Sequence, residues 1–192
     1  VSAAVVGPAG VVDSHGDTRS RFALASVTKP LAARAAQVAI EEGAFELDTP
    51  AGPPGATVRH LLAHTAGYEM TSPKVIAAPG TRRIYSNHGF AVLAEVLERE
   101  SAIAFGTYLT ESVLAPLGMG DTSYHVPKDK EARLVTVNRR QPDGTLAKDS
   151  VQPPTSGFTP IGGGGLSSTA NDYVRFTRAL LNSGELDGGR IL

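Results

Sequence analysis

Apolar positions recur along this chain in two rhythms, and each predicts a kind of element. Near the start, Ala3-Ala4-Val5-Val6 and Val11-Val12 flank Gly7-Pro8-Ala9-Gly10, turn chemistry that predicts a β-hairpin over residues 3–13. A polar stretch from Asp13 to Arg21 leads to the short apolar run Phe22-Ala23-Leu24-Ala25. Helical spacing then takes over. Leu31, Ala35, Val38 and Ala39 form one stripe, Gly43 is the stop, and Pro30 sits in the first turn, where a missing N–H costs little. The helix therefore starts near Ser26 or Val27.

After the Pro- and Gly-rich stretch from Pro50 to Gly55, Thr57 offers an N-cap for a short helix carrying Val58, Leu61 and Leu62, ending near Gly67. A loop with Pro73, Pro79 and Gly80 leads to Tyr85-Ser86-Asn87. From there a helix runs to about Arg99, with Phe90, Leu93, Val96 and Leu97 apolar. A further helix carries Phe105, Leu109, Val113 and Leu114 and stops at Pro116-Leu117-Gly118. Residues 126–160 read as loop with a short strand at Leu134–Val137. The last helix starts at Thr169, where Asp172 resembles a capping box, carries Val174, Phe176, Leu180 and Leu181, and ends at Gly184. The order is two strands followed by helices, and two strands alone are marginal in water. Either the helices supply the core or strands are missing from the end.

Composition narrows the function classes. The 192 residues carry 18 Lys+Arg against 19 Asp+Glu, a net charge of −1, which leaves no broad basic face for nucleic acid. No apolar run approaches a membrane span. The absence of cysteine removes disulfides, iron–sulfur clusters and thiol catalysis together. Val1 is not an initiator Met and no signal peptide is visible. The expectation is a processed, trimmed or partial chain, soluble, and either cytoplasmic or exported with its signal removed.

Ser26-Val27-Thr28-Lys29 is the one Ser-x-x-Lys in the chain. Three residues along a helix place Lys29 within reach of Ser26. A serine hydroxyl is a poor nucleophile until a base takes its proton, and a lysine can serve only if its pKa falls from about 10.4. The bland alternative is a serine N-cap beside a solvated lysine. Tyr85-Ser86-Asn87, the one Tyr-x-Asn, sits at a loop-to-helix junction. A phenolate beside cations could accept the serine proton, and Asn87 could hold Lys29 while donating to a substrate amide. Its bland alternative is Asn87 as an N-cap with Tyr85 as a loop anchor.

Two other features suggest chemistry and fail on detail. His60 and His64 stand at i and i+4 but lack the Glu that a zinc protease places after the first His, so capping and core hydrogen bonding suit them better than a metal. Gly162–Gly165 lack the Lys-Ser/Thr of a phosphate loop, and a tight turn feeding a capped helix fits them. Glu41-Glu42 and Glu98/Glu100 read as solvated helix faces, and no Gly-x-Ser-x-Gly elbow is present.

Taken in order, Ser26-Val27-Thr28-Lys29, Arg59-His60-Leu61-Leu62-Ala63-His64-Thr65-Ala66-Gly67, Pro79-Gly80 before Tyr85-Ser86-Asn87, Pro116-Leu117-Gly118-Met119 and Gly163-Gly164-Gly165-Leu166-Ser167-Ser168-Thr169 resemble the β-lactamase-related serine hydrolases. That group includes class C β-lactamases, D-alanyl-D-alanine carboxypeptidases, D-aminopeptidases and esterases. The resemblance implies an α+β fold, a helical cluster packed on an antiparallel sheet. Residues 1–25 would form the hairpin and sheet edge, and 26–192 the mainly helical part. It implies Ser26 as acylated nucleophile, Lys29 and Tyr85 as the proton-transfer pair, Asn87 as a substrate-amide contact, and half an oxyanion hole from the Ser26 N–H. No cofactor and no metal are called for, and the partner is a small amide, lactam or ester substrate.

One departure stands out. The family's Lys/His-Thr/Ser-Gly motif on a late strand should follow the glycines, yet no Lys or His occurs after Gly165. The C-terminal strands that pair with the hairpin are expected to be absent with it, leaving an unpaired strand edge. A C-terminal fragment of the same protein would complete the sheet. The reading is a serine hydrolase acting through a Ser26 acyl-enzyme. The alternatives are a non-catalytic penicillin- or peptide-binding module on the same fold and, more weakly, a metal hydrolase built on His60 and His64.

Overall fold

The structure, a computed structural model, describes residues 1–148 and 161–190. The part of the expected 126–160 loop that covers 149–160 lies outside the described residues. In chain order the elements are strands β1 (Ala3–Gly7), β2 (Gly10–His15) and β3 (Phe22–Ala23), helices α1 (Thr28–Glu41), α2 (Val58–Leu62), α3 (Asn87–Ser101) and α4 (Phe105–Leu109), strands β4 (Asn138–Arg140), β5 (Leu146–Lys148) and β6 (Ser167–Ser168), helix α5 (Ala170–Leu181), and strands β7 (Glu185–Leu186) and β8 (Gly189–Arg190). Helices and small antiparallel sheets make an α+β fold. Among the described residues no helix is long and apolar enough to cross a membrane.

The chain divides into two compact units, one formed by residues 25–116 and 161–164, the other by the remaining described residues. The first is helical. α1 buries Leu31, Ala32, Ala35, Ala36 and Ala39, and this row of small residues lets α3 pack closely with Phe90, Leu93 and Leu97. α2 adds Val58 and Leu61 to α3, and α4 closes the core with Phe105 and Leu109. Beyond α4 the chain widens into a π-helical turn over Thr110–Leu114, closed by Ala115 N–H to Thr110 O at 2.8 Å. The apolar spacing of Val113 and Leu114 is kept, and both are buried. Gly43 takes φ +78° and ends the α1 region, as its position suggests.

In the second unit β1 and β2 form the expected hairpin, with Val6 opposite Val11 and Gly7 opposite Gly10. Among the described residues these two strands pair only with each other, and Val5, Val11 and Val12 are exposed. α5 packs on β1 through a face that buries Phe176 and Ala179. β3 pairs with β6, and the fully buried Arg21 guanidinium donates to Ser123 Oγ (2.7 Å) and Ser167 Oγ (2.8 Å). Asp172 is buried, and burial raises its pKa.

Several local expectations need correction. The strand expected at Leu134–Val137 is a single parallel bridge from Leu134 to Arg21; the ladder begins at Asn138 and closes with β5. The decisive signal was Asp143-Gly144, where Gly144 adopts φ +86° and Asp143 Oδ1 accepts from Thr145 N–H at 2.9 Å. α2 ends at Leu62, short of Gly67, because His64 takes a left-handed φ of +58°. The Thr169 box is only half made. Thr169 Oγ1 accepts from Asp172 N–H (3.1 Å), whereas the Asp172 carboxylate turns to Asp121 N–H (2.7 Å) and Thr122 Oγ1 (2.8 Å). Leu180 and Leu181, expected on the apolar stripe, are exposed.

The helical unit should be sensitive to cavities. Leu31→Ala, at a fully buried position in α1, is expected to lower unfolding free energy by about 2–5 kcal/mol in a urea titration. A loss under about 0.5 kcal/mol, the range of ordinary surface substitutions, would contradict this packing.

Candidate active site

Ser26 does not cap α1. It sits in a 3₁₀ turn, Ala25–Val27, and the α-helix proper begins at Thr28 with Val27 as N-cap. Ala25, just before it, takes φ +45°, a conformation that costs a residue with a Cβ of order 1–3 kcal/mol and persists only where surroundings enforce it. The turn leaves the Ser26 side open while the next helical turn points Lys29 inward, where it is only 5% exposed.

A buried ammonium needs partners for three N–H groups, and Lys29 finds three. Its Nζ donates to Ser26 Oγ (3.1 Å), Asn87 Oδ1 (2.7 Å) and Gly163 O (2.8 Å). It also lies 4.7 Å from the centroid of the Tyr85 ring and 5.7 Å from that of Phe90. The glycine run supplies the third acceptor by close approach rather than by cradling phosphate. A Cβ on Gly162 would stand 2.4 Å from Phe90 O, and one on Gly163 would stand 3.1 Å from Asn87 O. Only glycine lets this turn press on the start of α3 and deliver its carbonyl to Lys29.

α3 begins so that Asn87 is free for this contact. Ser86, rather than Asn87, is the N-cap, its Oγ accepting from Gly89 N–H at 3.0 Å. The Asn87 carboxamide is thereby released toward Lys29. Two residues earlier, Tyr85 is partly exposed. Burial works against its ionisation, but hydrogen bonding to Lys29 and Ser26 and the charges of Lys29 and Arg83 outweigh it, so its pKa is lowered. The other four tyrosines, Tyr68, Tyr108, Tyr124 and Tyr173, are all shifted upward, chiefly by burial. The structure thus gathers all four residues singled out by sequence, Ser26, Lys29, Tyr85 and Asn87, in one cluster. A serine hydroxyl, a lysine amine, a phenol of lowered pKa and a carboxamide gathered around one lysine are groups whose chemistry can support proton transfer from serine and attack on a carbonyl.

The two histidines are spent on backbone. His60 Nδ1 accepts from Thr57 N–H (3.1 Å), and His64 Nδ1 accepts from Ser86 N–H (3.1 Å). A neutral imidazole accepting at Nδ1 carries its proton on Nε2, so neither ring keeps a lone pair for a metal. Among the described residues no group of three or more His, Asp or Glu side chains is placed to hold one.

A family model described as Beta-lactamase matches residues 1–192. The chain belongs to the β-lactamase family. A crystal structure of a β-lactamase from Mycobacterium bovis is similar at a TM-score of 0.72 and 51% identity, over 93% of this chain and 54% of that one. Protein Rv1367c of Mycobacterium tuberculosis is 30% identical over 228 residues, 89% of this chain and 56% of its own length. The D-alanyl-D-alanine-carboxypeptidase/endopeptidase AmpH of Escherichia coli is 26% identical over 220 residues, 90% of this chain and 54% of its own. The chain therefore spans about half the length of the curated relatives it matches.

Sequence reasoning read His64 as a core hydrogen-bonding residue, which it is, but missed its contact with Tyr85, the Gly163 carbonyl, and the Phe90 ring near Lys29. The glycine run was a visible signal for the carbonyl, since consecutive glycines mark close backbone approach as well as phosphate binding. His64 is buried and neutral, its pKa pushed down to about 4 by burial and by the charges of Arg83 and Lys29. Between about pH 6.5 and 4 the unfolded chain holds a proton on this residue that the folded chain lacks, so its contribution is complete above about 6.5 and is lost as pH falls toward 4. The difference in unfolding free energy between the native chain and His64→Asn should move against the native chain across that window. A difference independent of pH would contradict a neutral, buried His64.

Proposed function

We propose that this chain carries the acylation machinery of a serine hydrolase that cleaves a small amide, lactam or ester through a Ser26 acyl-enzyme. The observation that carries the reading is the triple contact of Lys29 Nζ with Ser26 Oγ, Asn87 Oδ1 and Gly163 O. With its donors committed, Lys29 acts as a fixed positive charge, and Tyr85 is the group left to exchange the serine proton. Tyr85 in its phenolate form accepts the Ser26 proton as Oγ bonds to the substrate carbonyl carbon, and the carbonyl electron pair moves onto oxygen. The intermediate collapses with loss of the C–N or C–O bond, and the leaving amine or alkoxide takes the proton from Tyr85. Water then repeats the sequence, releasing the acid and restoring Ser26.

Asn87 spends its Oδ1 on Lys29, which leaves its Nδ2 donors to face a substrate carbonyl. The Ser26 backbone N–H supplies one oxyanion donor. A second has no source in a Lys/His-Thr/Ser-Gly segment of this chain, because no Lys or His follows Gly165. On this reading residues 1–192 form one part of a hydrolase domain, and a C-terminal portion of the same polypeptide completes the sheet and the oxyanion hole. Lacking one donor typically costs about 10²–10³ in rate, so the 192-residue chain alone should acylate that much more slowly than the complete natural polypeptide.

A fluorescent penicillin or fluorophosphonate tests the reading. The complete polypeptide is expected to gain one covalent adduct in intact-mass spectra, absent from Ser26→Ala. Ligand binding with no adduct on the native protein would overturn it in favour of a non-catalytic binding module, the second reading that the missing motif supports.

A further inference from the structure

The segment His64-Thr65-Ala66-Gly67 has no place in the reaction outlined above, yet it forms a rail along the loop that ends in Tyr85. His64 O accepts from Ile84 N–H (2.7 Å), Thr65 O from Gly80 N–H (2.8 Å), and Gly67 O from Ile76 N–H (2.9 Å). A Cβ on Gly67, at φ +90°, would stand 2.1 Å from Ala77 O, so only glycine lets the loop lie this close. His64 does most. Its carbonyl holds the peptide N–H before Tyr85, and its Nδ1 holds the one after it, Ser86 N–H at 3.1 Å. Its ring faces the Tyr85 ring at 4.5 Å with a tilt of 31° and backs onto Phe90 at 5.0 Å. His64 makes these contacts from a left-handed φ of +58°.

We infer that His64 is a positioning residue for Tyr85, clamping the backbone on both sides of the tyrosine and stacking on its ring so that the phenol meets Ser26 and Lys29. This rests on the reading of Tyr85 as proton acceptor. The charged and titratable groups facing His64 are Lys29, Arg83 and Tyr85. A neutral His64 leaves Nδ1 free to accept. A protonated one would repel Lys29 and Arg83 and release Ser86 N–H.

Three substitutions in the complete polypeptide separate the two parts of the clamp. Asn at this position tolerates left-handed backbone and offers an Oδ1 where Nδ1 stood; Phe keeps a ring and loses the acceptor; Ala loses both. His64→Ala is expected to lower the acylation rate constant about 10²-fold, the scale of a misplacement near 1 Å. His64→Asn should regain at least tenfold of that, and His64→Phe should not. Tyrosine ionisation followed by ultraviolet absorbance gives a readout independent of activity. The earliest ionisation step, identified by its loss in Tyr85→Phe, should move upward in His64→Ala and stay in place in His64→Asn.

Acylation by His64→Ala at the native rate would overturn the inference. So would equal losses in all three variants with the tyrosine step unmoved, since that pattern marks a residue needed only for stability. Should His64→Ala fail to fold, the pair His64→Asn and His64→Phe carries the same comparison. If the native protein forms no Ser26 adduct, the hydrolase reading fails, and the tyrosine titration still decides the role of His64.

Discussion

A lysine ammonium that is 5% exposed is the constraint around which the helical unit is arranged. Leaving such a charge unpaired in the interior costs several kcal/mol. Each of its three acceptors comes from a different stretch of chain. Ser26 is three residues away on the same turn, Asn87 is 58 residues away at the head of α3, and Gly163 is 134 residues away in the glycine turn. The site and the core are therefore one problem. The small-residue face of α1 brings α3 close, α3 presents Asn87, and the glycines reach Lys29 only because α3 lies where it does.

Around that charge the remaining groups divide the work by environment. Tyr85 is the one tyrosine of five whose pKa is lowered, because hydrogen bonds to Lys29 and Ser26 and the charges of Lys29 and Arg83 outweigh its burial; the other four are shifted upward, chiefly by burial. His64 is held neutral chiefly by burial, and further by the charges of Arg83 and Lys29. A neutral imidazole and an ionisable phenol thus stand face to face beside one ammonium. On the proposed reading this asymmetry lets Tyr85 exchange a proton while the histidine beneath it stays fixed.

Much of this was legible in the sequence. Spacing alone brought Ser26 and Lys29 together, the order of motifs tied them to Tyr85 and Asn87, and the four side chains lie near one another in the fold. The apolar stripes located the helices, since burial and periodicity express the same fact. Backbone detail was not legible. The left-handed turn at His64 has no side-chain signature, and it decides where α2 ends. The Asn87 side chain escaped capping duty because Ser86 took it, a choice between adjacent residues that propensity does not resolve. The acceptor at Gly163 is a carbonyl, which every residue has, and only the fold says which one Lys29 meets.

The most direct test of the central claim is the ionisation of Tyr85 followed by NMR of ring-labelled tyrosine, in the native protein and in Lys29→Met. Methionine keeps the aliphatic stem and removes the charge. The account predicts one tyrosine resonance that titrates below the ordinary value of about 10 in the native protein and moves above it in Lys29→Met. Five tyrosines that all titrate at or above the ordinary value, or a Tyr85 resonance indifferent to Lys29, would contradict it.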